Sequence, residues 1–136
     1  MDTRRIGACT LGLRMLDLEP ALDELARIGF TGVDLWQVSP YYDGKGHVAS
    51  DAPAAERQRV RRLAADRGLE LQHLASYPGL AFAAESESER RRDLAWAKET
   101  IRLCADLAMP VMRVAAGRGE TLDHLPTVAP LLKEAA

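Results

Sequence analysis

The sequence predicts an α/β fold made of about four consecutive βα units. Short apolar runs alternate with longer amphipathic stretches along the 136 residues, and helix start and stop signals flank the amphipathic stretches. The hydrophobic fraction of 47% and the charged fraction of 28% are typical of a globular protein. Such alternation implies parallel strands joined by right-handed helical crossovers. Two architectures fit it: one half of a (β/α)₈ barrel, and an open doubly wound sheet.

The first strand and helix are marked by an apolar run and a helical repeat. Residues 6–10 form the first apolar run. After it, Leu18, Leu22 and Leu25 recur at helical spacing, and Gly29 can end the helix in a left-handed conformation. We therefore expect a strand, a helix and then a second strand at residues 32–36.

The second unit continues through a long loop at residues 37–50. Asp51 can cap a helix over residues 51–67, and Gly68 can stop it. The third strand is then expected at residues 69–75.

The third helix has the clearest start. Ser86 and Glu89 have capping-box spacing, so each side chain can accept a hydrogen bond from a backbone N–H of the first turn. Pro110 follows the helix and precedes an apolar fourth strand at residues 111–115. The segment 127–136 is typical of the start of a fourth helix.

Charge and cysteine content exclude several functions. The net charge is −2, from 18 basic and 20 acidic residues, so no basic surface is expected for nucleic acid. The two cysteines form no CxxC or Cys/His cluster, which argues against a zinc site and against a disulfide framework. No apolar run approaches the roughly 20 residues of a membrane helix. We expect a soluble cytoplasmic protein with neither nucleic acid nor membrane as a partner.

Three segments carry a resemblance to a known family. The segment 21–36, the segment 67–71 and the segment 97–114 resemble the xylose isomerase-like TIM-barrel superfamily, especially its sugar phosphate isomerase/epimerase members. The first of these includes the turn Gly29-Phe30-Thr31-Gly32-Val33-Asp34. Ala108 stands where that family usually has Gly. The resemblance implies that residues 1–136 are a single partial domain, the N-terminal half of a xylose isomerase-like TIM barrel with about four βα units.

The resemblance also implies a chemistry. Family members act on a sugar, a sugar phosphate or a keto-polyol, and move a proton next to a carbonyl with the help of a divalent metal such as Mn, Mg, Co or Zn. Their metal ligands lie on strands five to eight, which have no counterpart here. We therefore expect no metal to bind this chain alone, and we assign no catalytic residue.

Two other functions remain open. The first is a non-catalytic or assembly-dependent half-barrel, whose unpaired sheet edges could be covered by a second copy in a homodimer. The second is an open flavodoxin-like binding domain, although the chain lacks the glycine-rich first turn that such domains use for phosphate.

Candidate pocket residues lie near the C-terminal ends of the predicted strands, where barrel enzymes place their active sites. If Val33 and Leu35 face the helices, Asp34 and Trp36 face the barrel interior. Asp34 then binds substrate, forms an ion pair or caps a loop. Trp36 forms an apolar wall for a sugar or packs in the core.

The third and fourth strands add further candidates. We expect Gln72 to face inward with Leu74, and we expect His73 to lie on the opposite face. Arg113, in the middle of the fourth strand, can pair with Asp34 or Glu70, or bind a substrate anion; a structural ion pair is the simpler reading.

Two candidates lie in the first strand and in the long loop. Cys9 either lines the pocket or is a small buried residue. Lys45, between Gly44 and Gly46, either holds a phosphate or belongs to a mobile loop.

Overall fold

Four parallel strands alternate with four helices in the computed structural model, which describes residues 6–42, 45–118 and 123–136. A short 3-10 turn, Thr10–Leu13, follows the first strand. In chain order the elements are β1 (Gly7–Cys9), α1 (Leu18–Ile28), β2 (Gly32–Trp36), α2 (Ala54–Ala65), β3 (Glu70–Ala75), α3 (Glu87–Asp106), β4 (Val111–Met112) and α4 (Leu125–Ala135).

The strand order decides between the two predicted architectures. The four described strands form one sheet in the order β1-β2-β3-β4, and every pair is parallel. Each strand therefore lies beside the next one in sequence, as in a barrel, whereas the strand order of a doubly wound sheet reverses at a switch point. The half-barrel prediction is confirmed, and the open flavodoxin-like alternative is wrong.

The helices cover one face of the sheet. Val33 and Leu35 of β2 and Leu74 of β3 are fully buried in one apolar cluster with Leu22 of α1 and Leu103 of α3. Because successive side chains of a strand point to opposite faces, the residues between these positions face the other side, the interior of the half-barrel. A second, smaller cluster of Phe82, Leu94, Ala97, Val128 and Leu131 packs α4 against α3.

Most helix boundaries follow the predicted signals. Gly29 has a φ of +98° at the end of α1, and the Ser86 side chain accepts the Glu89 N–H at 3.4 Å at the start of α3. The predicted cap at Asp51 is wrong, because α2 begins only at Ala54, with Pro53 at its N-cap. A proline keeps the residue before it out of the helical region, so the helix cannot include residues 51 and 52.

Two further observations concern element lengths. The fourth strand is shorter than predicted, since only Val111 and Met112 are extended in the sheet. The Arg113 N–H donates to the Leu74 carbonyl of β3, whereas the Ala115 N–H donates to the Pro78 carbonyl. From Ala115 onward the chain therefore follows the loop between β3 and α3 and no longer pairs with β3. Among the described residues, every helix is too short or too polar to cross a lipid bilayer.

An irregularity in β3 changes which side chains face inward. Val33 pairs with Leu71 and Asp34 pairs with His73, so Gln72 is an extra residue that forms a β-bulge. The Gln72 side chain lies over Gly32, where an added Cβ would come within 2.1 Å of its Oε1 atom.

The bulge corrects the predicted facing of β3. One extra residue reverses the period-two alternation beyond it. His73 consequently shares the inner face with Asp34, and Leu74 turns toward the helices. The prediction that His73 faces outward and Leu74 inward is wrong for this reason.

Candidate functional site

A polar row crosses the inner face of the sheet. Cys9 of β1 pairs with Asp34 of β2, which pairs with His73 of β3. The His73 Nδ1 atom lies 2.5 Å from Asp34 Oδ1, and both side chains are about one-third exposed (30% and 29%). An ionised carboxylate can only accept, so Nδ1 carries the proton and donates it. This contact leaves His73 Nε2 as the nitrogen that can exchange a proton with a bound molecule.

Cys9 lies half-buried at one end of this row. Burial raises the pKa of the Cys9 thiol, and the nearby Asp34 carboxylate raises it further. The thiol is therefore protonated near neutral pH and can donate to Asp34. This environment is the opposite of the one that activates a cysteine nucleophile.

Three aromatic side chains form a cup beside the row. The ring centroid of Trp36 lies 5.7 Å from that of Tyr42 and 5.2 Å from that of Tyr77, and the two tyrosine centroids are 4.7 Å apart. This aromatic cup (Trp36, Tyr42 and Tyr77), with Leu11 and Arg14, lines a cavity of about 440 Å³.

Trp36 belongs to both the core and the cavity wall. It is only 1% exposed, and its indole N–H has no acceptor among the described residues. The two sequence interpretations of Trp36 are thus compatible, because a buried ring can still present its edge to a cavity.

Arg113 stacks on one ring of the aromatic cup. Its guanidinium carbon is 3.9 Å from the Tyr77 ring centroid, and its Nε donates to the Ser76 carbonyl at 3.1 Å. The side chain is exposed and forms no ion pair with Asp34 or Glu70 among the described residues. The predicted buried ion pair is wrong, because β4 ends at Met112. Arg113 therefore lies beyond the sheet, among the loops at the C-terminal ends of the strands, which we call the rim of the half-barrel.

A buried threonine ties three rim segments together. The Thr10 hydroxyl accepts the Trp36 backbone N–H at 2.8 Å and lies 2.9 Å from His47 Nδ1. His47 Nε2 lies 3.1 Å from the Leu16 carbonyl. Since the hydroxyl accepts from Trp36, its own hydrogen can bond to Nδ1, and Nε2–H then donates to Leu16. Burial lowers the pKa of His47, which favours this neutral form.

A buried carboxylate lies beside two rim loops. Asp93 of α3 accepts the backbone N–H groups of Gly79 and Ala81 through Oδ2, each at 2.8 Å, and it lies near the Tyr41 hydroxyl. Burial raises the pKa of Asp93. Burial, and then the Asp93 charge, raise the pKa of Tyr41 to about 12. Asp93 therefore holds the loop before α3 and places a carboxylate beside Tyr41 of the loop before α2.

Lys45 lies in a different cavity, of about 590 Å³, between the β1–α1 connection and the β2–α2 loop. Its Nζ is 3.8 Å from Met15 Sδ, and Gly44 lies outside the described residues. The walls of this cavity carry both charge signs, from Arg14, Asp17, Glu19, Lys45, Glu56 and Arg59. Phosphate binding by Lys45 stays a prediction.

The described residues do not fit a metal site. No group of three or more His, Cys, Asp or Glu side chains lies close enough to hold an ion in the ranges 6–42, 45–118 and 123–136. Cys9, Asp34 and His73 of the polar row do not form such a group, and protein metal sites ordinarily use at least three ligands.

Sequence reasoning missed several residues of this site. His73 was assigned to the wrong face, and nothing marked Tyr42 or Tyr77 as partners of Trp36. One signal was available: Gly7 and Gly32 face each other on adjacent strands and leave the space that the Gln72 side chain fills. Paired glycines opposite a polar residue can indicate a bulge.

Comparison with known proteins places this arrangement in context. The family model described as xylose isomerase-like TIM barrel matches residues 22–136. No curated protein matches the sequence significantly.

Several solved structures share the fold. A sugar phosphate isomerase/epimerase from Parabacteroides distasonis superposes with a TM-score of 0.66 at 18% identity, over 97% of this chain and 46% of that one. The 3-keto-D-glucoside 4-epimerase from E. coli gives 0.65 at 13%, over 96% and 49%. A xylose isomerase domain containing protein from Salmonella typhimurium gives 0.65 at 18%, over 98% and 44%. The chain spans about half the length of these proteins.

Proposed function

Because this chain belongs to the xylose isomerase-like TIM-barrel family, we propose that it forms the substrate-holding N-terminal half of a sugar isomerase or epimerase. The proposed reaction is a proton transfer next to the carbonyl of a sugar, sugar phosphate or keto-polyol, assisted by a divalent metal such as Mn, Mg, Co or Zn. The observation that carries the proposal is the Asp34–His73 pair on the inner face, with Asp34 two residues before Trp36 of the aromatic cup along β2.

The metal ligands are proposed to lie outside these 136 residues. The described residues offer no group of three ligands, so this half supplies the pocket wall and the proton-handling pair rather than the metal centre. Residues 1–136 are accordingly proposed to be one partial barrel domain.

Each candidate residue has a role in this proposal. His73 Nε2 exchanges a proton with a substrate hydroxyl, while Asp34 fixes the tautomer and stabilises the charged imidazole. Trp36 supplies an apolar surface for one face of the sugar. Gln72 lies on the inner face and can donate a hydrogen bond to a sugar hydroxyl. Cys9 has a short side chain, so it leaves space beside Asp34 for a bound sugar.

Two cationic residues complete the proposed pocket. Arg113, which stacks on Tyr77 of the aromatic cup, and Lys45, which lines the other cavity, can hold a substrate anion. Free thiols at Cys9 and Cys104 support a reducing compartment, so a cytoplasmic location is part of the proposal.

Sugar binding by the chain as it exists tests the first half of the proposal. The protein has two tryptophans, so Trp96→Phe leaves Trp36 as the only tryptophan reporter. We expect saturable fluorescence changes when this variant is titrated with a neutral ketose such as D-fructose. A folded variant that responds to no sugar, neutral or charged, contradicts the assignment to a sugar enzyme.

Isotope exchange tests the second half. The chain is incubated with D-fructose in D₂O, with and without Mn²⁺, Mg²⁺, Co²⁺ or Zn²⁺, and deuterium at the carbon next to the carbonyl is followed by NMR. We expect no exchange above background from this chain alone. Metal-stimulated exchange would show that the ligands lie within the chain, and exchange without metal would overturn the metal-assisted mechanism.

A second candidate is an assembly-dependent half-barrel, and the exposed apolar residues of the sheet favour it. Ile6, Val111 and Val114 are 42%, 55% and 37% exposed near the two outer strands, β1 and β4. Open edges of this kind can pair with another chain. Light scattering over a range of concentrations should then show a dimer, and a monomer at every concentration would exclude it.

A further inference from the structure

The backbone of Trp36 is fixed on both sides by one pair of residues. Its N–H donates to the Thr10 hydroxyl at 2.8 Å, and its carbonyl accepts the His47 backbone N–H at 2.9 Å. Thr10 and His47 also contact each other, since Thr10 Oγ1 lies 2.9 Å from His47 Nδ1. These hydrogen bonds close a ring, which we call the Trp36 clamp (Thr10, Trp36 and His47). One wall of the aromatic cup is therefore held through the imidazole of His47.

The segment that carries His47 packs tightly against the end of β2. The Val38 N–H donates to the Val48 carbonyl at 2.8 Å, and a Cβ added at Gly46 would come within 2.3 Å of the Val38 nitrogen. Close packing of this kind leaves little room for His47 to change partners by a small shift. A change at its imidazole is therefore transmitted to the backbone of the neighbouring strand end.

The clamp is compatible with only one protonation state of His47. The Thr10 oxygen accepts from Trp36, so its single hydrogen donates to an unprotonated Nδ1, while Nε2–H donates to the Leu16 carbonyl 3.1 Å away. A protonated Nδ1 points a second donor at that oxygen. The Thr10 hydrogen, at a fully buried position, then has no other partner in the part of the chain that the structure describes. A buried donor without a partner is costly, so protonation destabilises the clamp.

The charged groups around His47 balance each other. The cavity that it lines is also lined by three cationic and three acidic side chains: Arg14 and Asp17 of the β1–α1 connection, Glu19 of α1, Lys45 of the same loop, and Glu56 and Arg59 of α2. Arg59 pairs with both Glu19 and Glu56. Burial lowers the pKa of His47 from its usual value of 6.5 and outweighs the opposing effects of the Leu16 carbonyl and the Asp17 carboxylate. The imidazole is therefore neutral near neutral pH and takes up its proton in mild acid.

We propose that His47 makes the aromatic cup sensitive to pH: protonation of its imidazole opens the Trp36 clamp, so the cup is well ordered near neutral pH and loosens in mild acid. The inference adds a means of regulation to the site of the proposed function, and it rests on that function only in treating the cup as the substrate pocket. Histidine is the side chain whose charge ordinarily changes in this pH range. The opening is local, because the apolar cluster between the sheet and the helices is built from other residues.

Trp36 fluorescence tests the inference without any sugar. In the Trp96→Phe protein, Trp36 is the only tryptophan and is 1% exposed, so acrylamide should quench it weakly at pH 7.5. We expect the quenching constant to rise about threefold or more by pH 5, as local opening allows, with unchanged far-UV circular dichroism. Adding His47→Gln should remove this pH dependence, because an amide does not titrate. His124→Gln is the matched control: the His124 side chain forms no capping hydrogen bond before α4, and the pH response should persist.

A second measurement does not depend on any variant of His47. In NMR spectra of the unchanged chain, the Trp36 backbone amide and the His47 imidazole should titrate with one midpoint, and different midpoints overturn the inference. Quenching that stays constant from pH 7.5 to pH 5, or that rises equally in the His47→Gln variant, also overturns it. So does a loss of circular dichroism over this range, since the whole fold then responds. The proposed function fails separately, through a sugar titration at pH 7.5, where the clamp is closed.

Discussion

The Thr10 hydroxyl provides the sharpest test of how the rim is held. We predict that Thr10→Val lowers the free energy of unfolding by about 2–3 kcal/mol. Valine has nearly the same shape, so packing around this fully buried position changes little. The loss comes from the Trp36 backbone N–H, which keeps no acceptor, and from His47 Nδ1, which loses its partner. A buried donor left without a partner costs about 1–3 kcal/mol, and the half-buried imidazole adds a smaller amount.

Thr31→Val is the matched control for this prediction. Thr31 immediately precedes β2, and its buried hydroxyl has no hydrogen-bond partner in the part of the chain that the structure describes. The same chemical change therefore removes no hydrogen bond there, and we expect a change within about 0.5 kcal/mol of zero or a small gain.

Urea denaturation followed by circular dichroism measures both variants. With a slope of about 1.5 kcal/mol per molar urea, Thr10→Val should lower the midpoint by about 1–2 M. Equal urea midpoints for the two variants would refute the reasoning, because the hydrogen bonds from Thr10 to Trp36 and His47 would then add no net stability.

Three further predictions concern backbone conformation and pH. Ala108 has a φ of +56° after α3, so Ala108→Gly should raise the free energy of unfolding in the same urea assay by about 1 kcal/mol, while Ala105→Gly within the helix should lower it by about as much. Gly79 has a φ of +95° and an added Cβ would lie 2.0 Å from a carbonyl oxygen, so Gly79→Ala should cost about 2 kcal/mol or more in the same assay, whereas Gly12→Ala, with open space around it, should cost little. The pKa of His47 is lowered in the fold, so the unfolded chain binds more protons below about 6.5, and stability should fall as the pH drops through that value. A urea midpoint that does not change between pH 7.5 and pH 5, measured against a His47→Asn control, would contradict this last prediction.

The outer layer of the fold was largely predictable because local signals determine it. The bounds of β2 agree with the prediction, and α1 ends at Gly29 in the left-handed conformation that glycine favours. Ser86 caps α3 as its spacing indicates. These features depend on residues within one helical turn of each other, so the sequence alone contains the necessary information.

The inner face was less predictable because it depends on register. The single extra residue at Gln72 changes the facing of His73 and Leu74, although the composition of β3 does not mark the bulge. Likewise, the short β4 releases Arg113 to the rim through a hydrogen bond between Ala115 and a distant loop. Both features depend on pairing between residues that are far apart in the chain. Hydrophobic periodicity reports only on neighbouring residues, so it does not predict such pairings.

Asp93 has a consequence for how this pocket can change its specificity. Its carboxylate anchors the segment that follows Tyr77, and it lies beside Tyr41, the chain neighbour of Tyr42, so the surroundings of two of the three aromatic walls include this one side chain of α3. Loss of this carboxylate would remove both hydrogen bonds that hold the segment after Tyr77. The simplest route to a new substrate specificity is therefore to replace the side chains of the aromatic cup while Asp93 and its hydrogen bonds are kept.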